Sequence, residues 1–409
     1  MSILVSGAGI GGPHFAYWAT KAGFDVTVIE KAPKLRKSGQ NVDIRDAALE
    51  IIKRTGTYEQ ILASSTGEEG LYVVDANNRV WGSWLVDKSG KNASPTSENE
   101  ILRGTLADVL YQATKERVEY IFGDHITAVT DLDDGVQVGF ASGKPERKFD
   151  LLVCADGMYS STRKLIFPEL GKTCLKSLGV VMAYFAVPLQ KTDDMFARVW
   201  TTTAGRCLFI RPDKLGVMRS FLITRKTAIF DDIYKVSPEK QKQMFYEAWQ
   251  GAGYETQRII DGMMKDDDFY VQDVIQVKTE TWSRGHSTLL GDAGYCPSVF
   301  TGMGTSLAIL AGYVLAGELM VAKKGDKVDV AQALEGYQAK LRPYVLEVQQ
   351  LPPGFPLLAL PQSRLGALAV RVVFAIASLL TPLLVYLQGG GIELEYKLPA
   401  YEWPDAADK

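Results

Sequence analysis

The first residues able to do chemistry are three glycines and an acid. Gly7, Gly9 and Gly12 follow the apolar run Ile3-Leu4-Val5, and Glu30 closes a second apolar run eighteen residues after Gly12. In a strand–loop–helix–strand unit the first glycine permits a tight turn, the second lets backbone approach a pyrophosphate, and the third lets helix and strand pack closely. The helix N-terminus then turns N–H groups and a positive dipole end toward phosphate. An acid about 20 residues on receives ribose hydroxyls, which favours FAD or NAD over a 2′-phosphorylated nucleotide.

Two later stretches repeat this design. Leu151-Leu152-Val153 ends in Asp156-Gly157, with Arg163 just beyond, and "STLLGDAGYCPSVFTGMG" delivers Asp292 at a strand end, then Pro297, Gly302 and Gly304 before a long small-residue helix. Alone, Asp292 would be a turn aspartate. Its recurrence with glycines at a helix N-terminus points to a second contact with ribitol or ribose hydroxyls. Arg45 and Arg103 each stand just before a helix, the first with apolar positions Ala48, Ile51 and Ile52, the second with Leu106, Val109 and Leu110. As an isolated residue Arg45 would be a surface charge.

The elements that position these residues fall into two textures. Strand–helix units at both ends of the chain imply an α/β, Rossmann-like domain. From residue 178 to about 270 the texture changes to strands separated by polar turns ("LGVVMAYFAVP", "FARVWTTTAGRCLFIRP", "LGVMRSFLIT"), implying an antiparallel sheet. The stretch 71–86 reads as a hairpin turning at Asn77-Asn78, and "SGKNASPTSENE" as a mobile polar loop. Ser237 and Pro238 mark a helix start. The expected organisation is 1–72, 101–177 and 273–350 for the nucleotide domain, 73–100 and 178–272 for the second domain, and 351–409 as a C-terminal helical segment.

Bulk properties narrow the classes. With 409 residues and 46% hydrophobic content the chain suits more than one core, and a formal charge of −3 carries no basic footprint for nucleic acid. The four cysteines and three histidines are scattered, so neither a disulfide framework nor a metal site is expected. The opening apolar run is too short for a signal peptide, leaving the cytoplasm as the default compartment.

Taken in order, "GAGIGG" with Glu30, Arg103 before its helix, "CADGMYSSTR" and "GDAGYCPSVFTGMG" resemble the class A FAD-dependent monooxygenases related to para-hydroxybenzoate hydroxylase. "GQNVDIRDAA", "EILRGTLADVL" and "YQAKLRPYV" resemble the tetracycline-destructase branch. The resemblance implies that Gly9 and Gly12 meet the FAD pyrophosphate and that Glu30, with Lys31 beside it, meets the adenosine ribose. It implies that Arg103 and Asp292 hold FAD further along, with Pro297, Gly302 and Gly304 beside the isoalloxazine. Asp156 belongs to a motif serving FAD and NAD(P)H, and Arg45 matches an arginine near the flavin. NADPH or NADH would reduce FAD in a transient visit, and dioxygen would give a flavin C4a-hydroperoxide that hydroxylates an aromatic or enolic, polyketide-like small molecule. No catalytic acid or base is identified.

Substrate would lie against the antiparallel sheet, where Tyr184, Phe209, Arg211 and Phe221 are candidates, with core packing as the competing explanation for each. Residues 365–387 are long enough to span a bilayer. Arg371, Pro382 and the lack of flanking basic clusters argue against it, and the resemblance implies a helix packed across both lobes that closes the pocket. Peripheral membrane contact is the alternative. A reductase, oxidase or halogenase on the same fold, or a flavin-binding protein without turnover, are the competing functions; no WxWxIP stretch of a halogenase is present.

Overall fold

The computed structural model describes residues 1–36, 39–86, 97–388 and 396–404, without the side chains of 382–388. Most of the polar loop read at 89–100 lies outside the described residues.

A six-stranded sheet forms the first lobe, in the order Ser283–Arg284, Ser287–Leu289, Leu151–Cys154, Ser2–Ser6, Asp25–Glu30, Glu119–Phe122. It is parallel except for the hairpin at one edge. Its central strands are continuous apolar runs because both faces are covered. Ile3, Leu4, Val5, Leu151, Leu152 and Val153 are all fully buried. The loops carrying Gly7–Gly12 and Asp156-Gly157 leave the carboxyl ends of adjacent strands, where open α/β sheets bind ligands. Helix Gly304–Val321 packs against the first helix, Gly11–Lys21, and is buried nearly all round. Though apolar and long enough for a membrane span, it is a core helix.

The second lobe is a seven-stranded sheet, in the order Tyr270–Val277, Leu175–Pro188, Val217–Arg225, Arg206–Pro212, Phe196–Thr202, Gly70–Val74, Val80–Leu85. It is antiparallel except where Phe196–Thr202 pairs parallel with Gly70–Val74. There the hairpin at 70–85, from an earlier part of the chain, joins the strands of residues 175–277. Alternation along Leu175–Pro188 separates two faces. Val181, Ala183, Phe185 and Val187 meet a core covered by helices Pro238–Trp249 and Thr256–Met263, while Val180, Met182 and Tyr184 face the opposite way, toward Phe300 and Leu360. Ser237 caps the first of those helices, its hydroxyl accepting from the Lys240 N–H.

The C-terminal segment departs from expectation. Helix Arg364–Gln388 packs on the outer edge of the seven-stranded sheet, chiefly on Val80–Leu85, with further contacts to Phe196–Thr202 and Gly70–Val74. Among the described residues its main contacts are all with the second lobe, rather than across both lobes over a pocket. The reason is local: Gly82 leaves room for the Phe374 carbonyl, and Ser378 bonds both the N–H and the carbonyl of Ser83. The tail beyond it returns to the first lobe, where Trp403 packs on Trp18 at 4.5 Å between ring centroids and the Tyr401 hydroxyl donates to Glu318 at 2.6 Å.

A Cβ at Gly317 would overlap the Tyr401 ring. Gly317→Ala should therefore release residues 396–403 and cost on the order of 1–3 kcal/mol. Carboxypeptidase trimming that leaves the tail as protected as in the parent would contradict this seating.

Candidate functional site

The glycine loop is shaped by backbone contacts that exclude side chains. Gly7 has φ +108°, and a Cβ there would lie 2.6 Å from the Ala155 carbonyl oxygen; a Cβ at Gly12 would overlap the Gly7 carbonyl. Above Gly9 nothing lies within 4 Å, so backbone is open at the one position where a phosphate must come close. Glu30 is fixed by the same loop: one carboxylate oxygen accepts from Ala8 N–H and the other from Ala32 N–H, each at 2.9 Å. Both oxygens retain lone pairs for ribose hydroxyls. Lys31 is exposed at the strand's end.

Asp156 is occupied locally. Its oxygens take the Thr162 N–H at 3.1 Å, the Thr162 hydroxyl at 3.0 Å and the hydroxyls of Ser160 and Ser161, fixing the start of helix Ser161–Ile166. From that helix Arg163, almost completely buried, donates to the carbonyls of Ala293 and Met158. It thereby ties the second motif to the third.

The third motif carries Asp292 at the start of a short helix, Asp292–Tyr295. Burial raises the Asp292 carboxyl above its ordinary range, opposed by the charge of Arg103. The turn at Pro297 is clamped by two buried glutamines: Gln276 donates to the Pro297 carbonyl at 3.0 Å and Gln349 to the Cys296 carbonyl at 3.2 Å. Gly302 has φ +66° with no atom near its missing Cβ, and Gly304 faces Asp292 and Pro297. Arg45 joins this region, its backbone N–H donating to Ser306 at 3.0 Å and its Nε to Asp43 at 2.6 Å.

Arg103 stands at the junction of the lobes. It is exposed, and its side chain has no hydrogen bond or ion pair among the described residues. Its charge reaches Asp292 and Cys296 on one side and Tyr184 and Tyr270 on the other. The short strand pair that places it, Asn41–Val42 with Ile101–Leu102, leaves four buried polar atoms without partners: Gln40 Oε1, both amide atoms of Asn41, and Asn99 Oδ1. Orphaned donors and acceptors side by side are costly unless a ligand with a matching polar edge fills the space. FAD meets that requirement: open backbone for a pyrophosphate, a pre-set acid for a ribose, and unsatisfied amide groups for a heteroaromatic ring.

Three of the four substrate candidates come together. Register aligns Tyr270, Tyr184, Phe221 and Phe209 in one row across four strands. Tyr184 stacks on Tyr270 at 4.6 Å and meets Phe221 edge-on at 5.4 Å, while Phe221 and Phe209 lie 5.3 Å apart. Tyr270 was missed in the sequence, as was Tyr159 inside "CADGMYSSTR"; burial raises both phenols to about 12, Asp273 adding to the shift at Tyr159. For Tyr270 the signal was a tyrosine opening a strand; Tyr159 lies in a turn and offered none. Arg211 takes another part. It lies over the Phe209 ring and bonds Glu68 at 2.9 Å and Glu100, forming a buried triad. Asp43, held by Arg45 and Ser97, adds a third carboxylate.

Burial pushes the Glu100 carboxyl up to about 7; Arg211 opposes the shift, and Glu68 and Asp43 add to it. Its folded pKa exceeds its unfolded value, so the native state binds the extra proton and loses stability as pH rises from about 4.5 to about 7. Glu100→Gln should flatten that slope, a change on the order of 1–3 kcal/mol. Urea unfolding on either side of the window checks it; an unaltered slope would mean Glu100 stays ionised throughout.

Asp292→Ala should weaken FAD binding by about 10- to 100-fold, the loss of a hydrogen bond to a charged group, with little change in fold. Flavin fluorescence titration measures it, and equal affinity would reduce Asp292 to a turn residue.

Comparison with known proteins agrees with this geometry. The family model described as "FAD binding domain" matches residues 1–351. The chain is 36% identical to FAD-dependent monooxygenase asL6 of Sarocladium schorii, covering 92% of each chain, and 34% identical to Monooxygenase CTB7 of Cercospora beticola, covering 98% of this chain and 97% of that one. Among solved structures it is similar to tetracycline destructase Tet(51), with a TM-score of 0.76 at 27% identity over 98% of this chain and 99% of the other. Related to these enzymes over nearly its whole length, this protein is a member of the class A FAD-dependent monooxygenases.

Proposed function

We propose that this monooxygenase hydroxylates an aromatic or enolic, polyketide-like small molecule, held against the row Tyr270–Tyr184–Phe221–Phe209, using NADPH or NADH as a transient electron donor. The row carries the reading. It is a row of aromatic rings on the sheet face turned toward Phe300, which follows the Pro297 turn; Tyr184 and Phe221 are buried within it, and Phe209 and Tyr270 at its ends are the more accessible rings. Planar rings stack there with offset geometry.

FAD, when bound, supplies electron transfer and oxygen activation. The backbone around Gly9 and Gly12 and the Glu30 carboxylate would hold its adenosine diphosphate end. Asp292 and Arg103 would hold the middle, and Gly302, Gly304 and the Gln40–Asn41 amides the ring. Arg103 would set a positive charge between the two lobes, favouring the anionic form of a phenol or enol and so its reactivity toward an electrophilic oxygen. The clamped Pro297 turn and the apolar face around Phe300 and Leu360 would keep water from the reacting centre. All four cysteines are free and buried, in keeping with a reducing, cytoplasmic setting.

The purified protein should be yellow, release its flavin on acid precipitation, and oxidise NAD(P)H faster with a productive phenol or polyketide than without. Phe209→Ala should raise KM for that substrate by about 10-fold while leaving FAD affinity intact. Reduction of flavin that no phenol or enol accelerates, with all reducing equivalents released as peroxide, would favour the oxidase reading instead.

A further inference from the structure

Helix Arg364–Gln388 presents an inverted amphipathic pattern. Its polar side chains turn inward onto the protein: Ser378 bonds Ser83, Thr381 accepts from the Trp84 indole N–H at 3.1 Å, and Arg371 donates toward the Thr201 carbonyl and lies over the Trp81 ring. Its outer face from Leu365 to Leu380 is hydrocarbon alone: Leu365, Leu368, Val372, Val373, Ile376, Leu379 and Leu380 are all exposed, with Ala369 and Ala377 between them. Only 6% of Arg364–Thr381 is buried. Beside it, Val80 at 51% and Leu85 at 65% exposure extend the apolar surface onto the strand beneath.

A helix facing water places its hydroxyls and charges outward. This one does the reverse, and a face so long and unbroken exceeds what a soluble surface carries. A protein partner, a second copy included, would need hydrogen-bonding groups to fix its register, and interfaces supply about one per 100–200 Å². Among the described side chains from Leu365 to Leu380 the outer face offers none. The occupant that needs none is the acyl region of a bilayer. We infer that this helix is a monotopic docking face, lying in the plane of a membrane with Leu365, Val373, Ile376 and Leu379 among the acyl chains. Its seat on Val80–Leu85 holds it flat rather than across the bilayer. With no basic residue on the exposed stretch after Arg364, attachment is driven by apolar burial, not by anionic headgroups.

The test uses full-length holoprotein and sonicated vesicles of phosphatidylcholine, which carry no net charge. The parent should sediment with the vesicles, and raising salt should not release it. Val373→Glu combined with Leu379→Glu, both at exposed positions, should lower vesicle binding about tenfold or more while flavin content and NAD(P)H oxidation stay unchanged. Failure of the parent to sediment, or a parent dimer that the double variant dissociates without any vesicle uptake, would overturn the proposal. Binding only to anionic vesicles with release by salt would also overturn it, since it would place attachment on charge. None of these outcomes depends on the substrate, so they leave the proposed hydroxylation to its own test.

Discussion

The first lobe depends on two places where a β-carbon cannot exist. At Gly7 the turn leaving the opening strand presses against the Ala155 carbonyl of the neighbouring strand's end, and at Gly12 the first helix presses against the Gly7 carbonyl. These contacts bring the glycine loop, the Asp156 turn and, through Arg163 and Ala293, the Asp292 turn to one edge of the sheet. Any side chain there would push the helix off the sheet and spread the three motifs apart. The residues that would touch cofactor are therefore placed by backbone contacts more than by their own interactions.

The first lobe was largely readable from the chain because its signals are local. A strand, a glycine turn, a helix and an acid at fixed spacing need no knowledge of distant residues, and the capping of helix Pro238–Trp249 by Ser237 was equally local. The second lobe was less so. That Tyr184, Phe221 and Phe209 share a row follows from pairing between strands dozens of residues apart, and register is set by partners the sequence does not name. The parallel pairing of Phe196–Thr202 was hidden for the same reason. Arg211 was a candidate for substrate contact, and only the fold shows Glu68 and Glu100, both far off in sequence, closing on it. The C-terminal helix was legible in length and composition, but not in which surface it covers.

Arg103 shows how two lobes with separate cores can share one site. A cation with no partner of its own among the described residues, set between a buried carboxylate and two tyrosines, gains from whatever anionic or electron-rich group completes the space. Its strand neighbour places orphaned amides alongside. Local polar dissatisfaction of this kind is tolerated because the surrounding core is large.

The Ser378 contact has a consequence for the sheet it touches. Val80–Leu85 is the last strand of its sheet, and an uncovered edge offers free N–H and carbonyl groups to any extended chain. Ser378 takes both groups of Ser83 with one hydroxyl, as a neighbouring strand would, and the Phe374 turn sits over Gly82. The helix is thus a stopper for strand addition at this edge, taking at Ser83 the bonds that an eighth strand would need there.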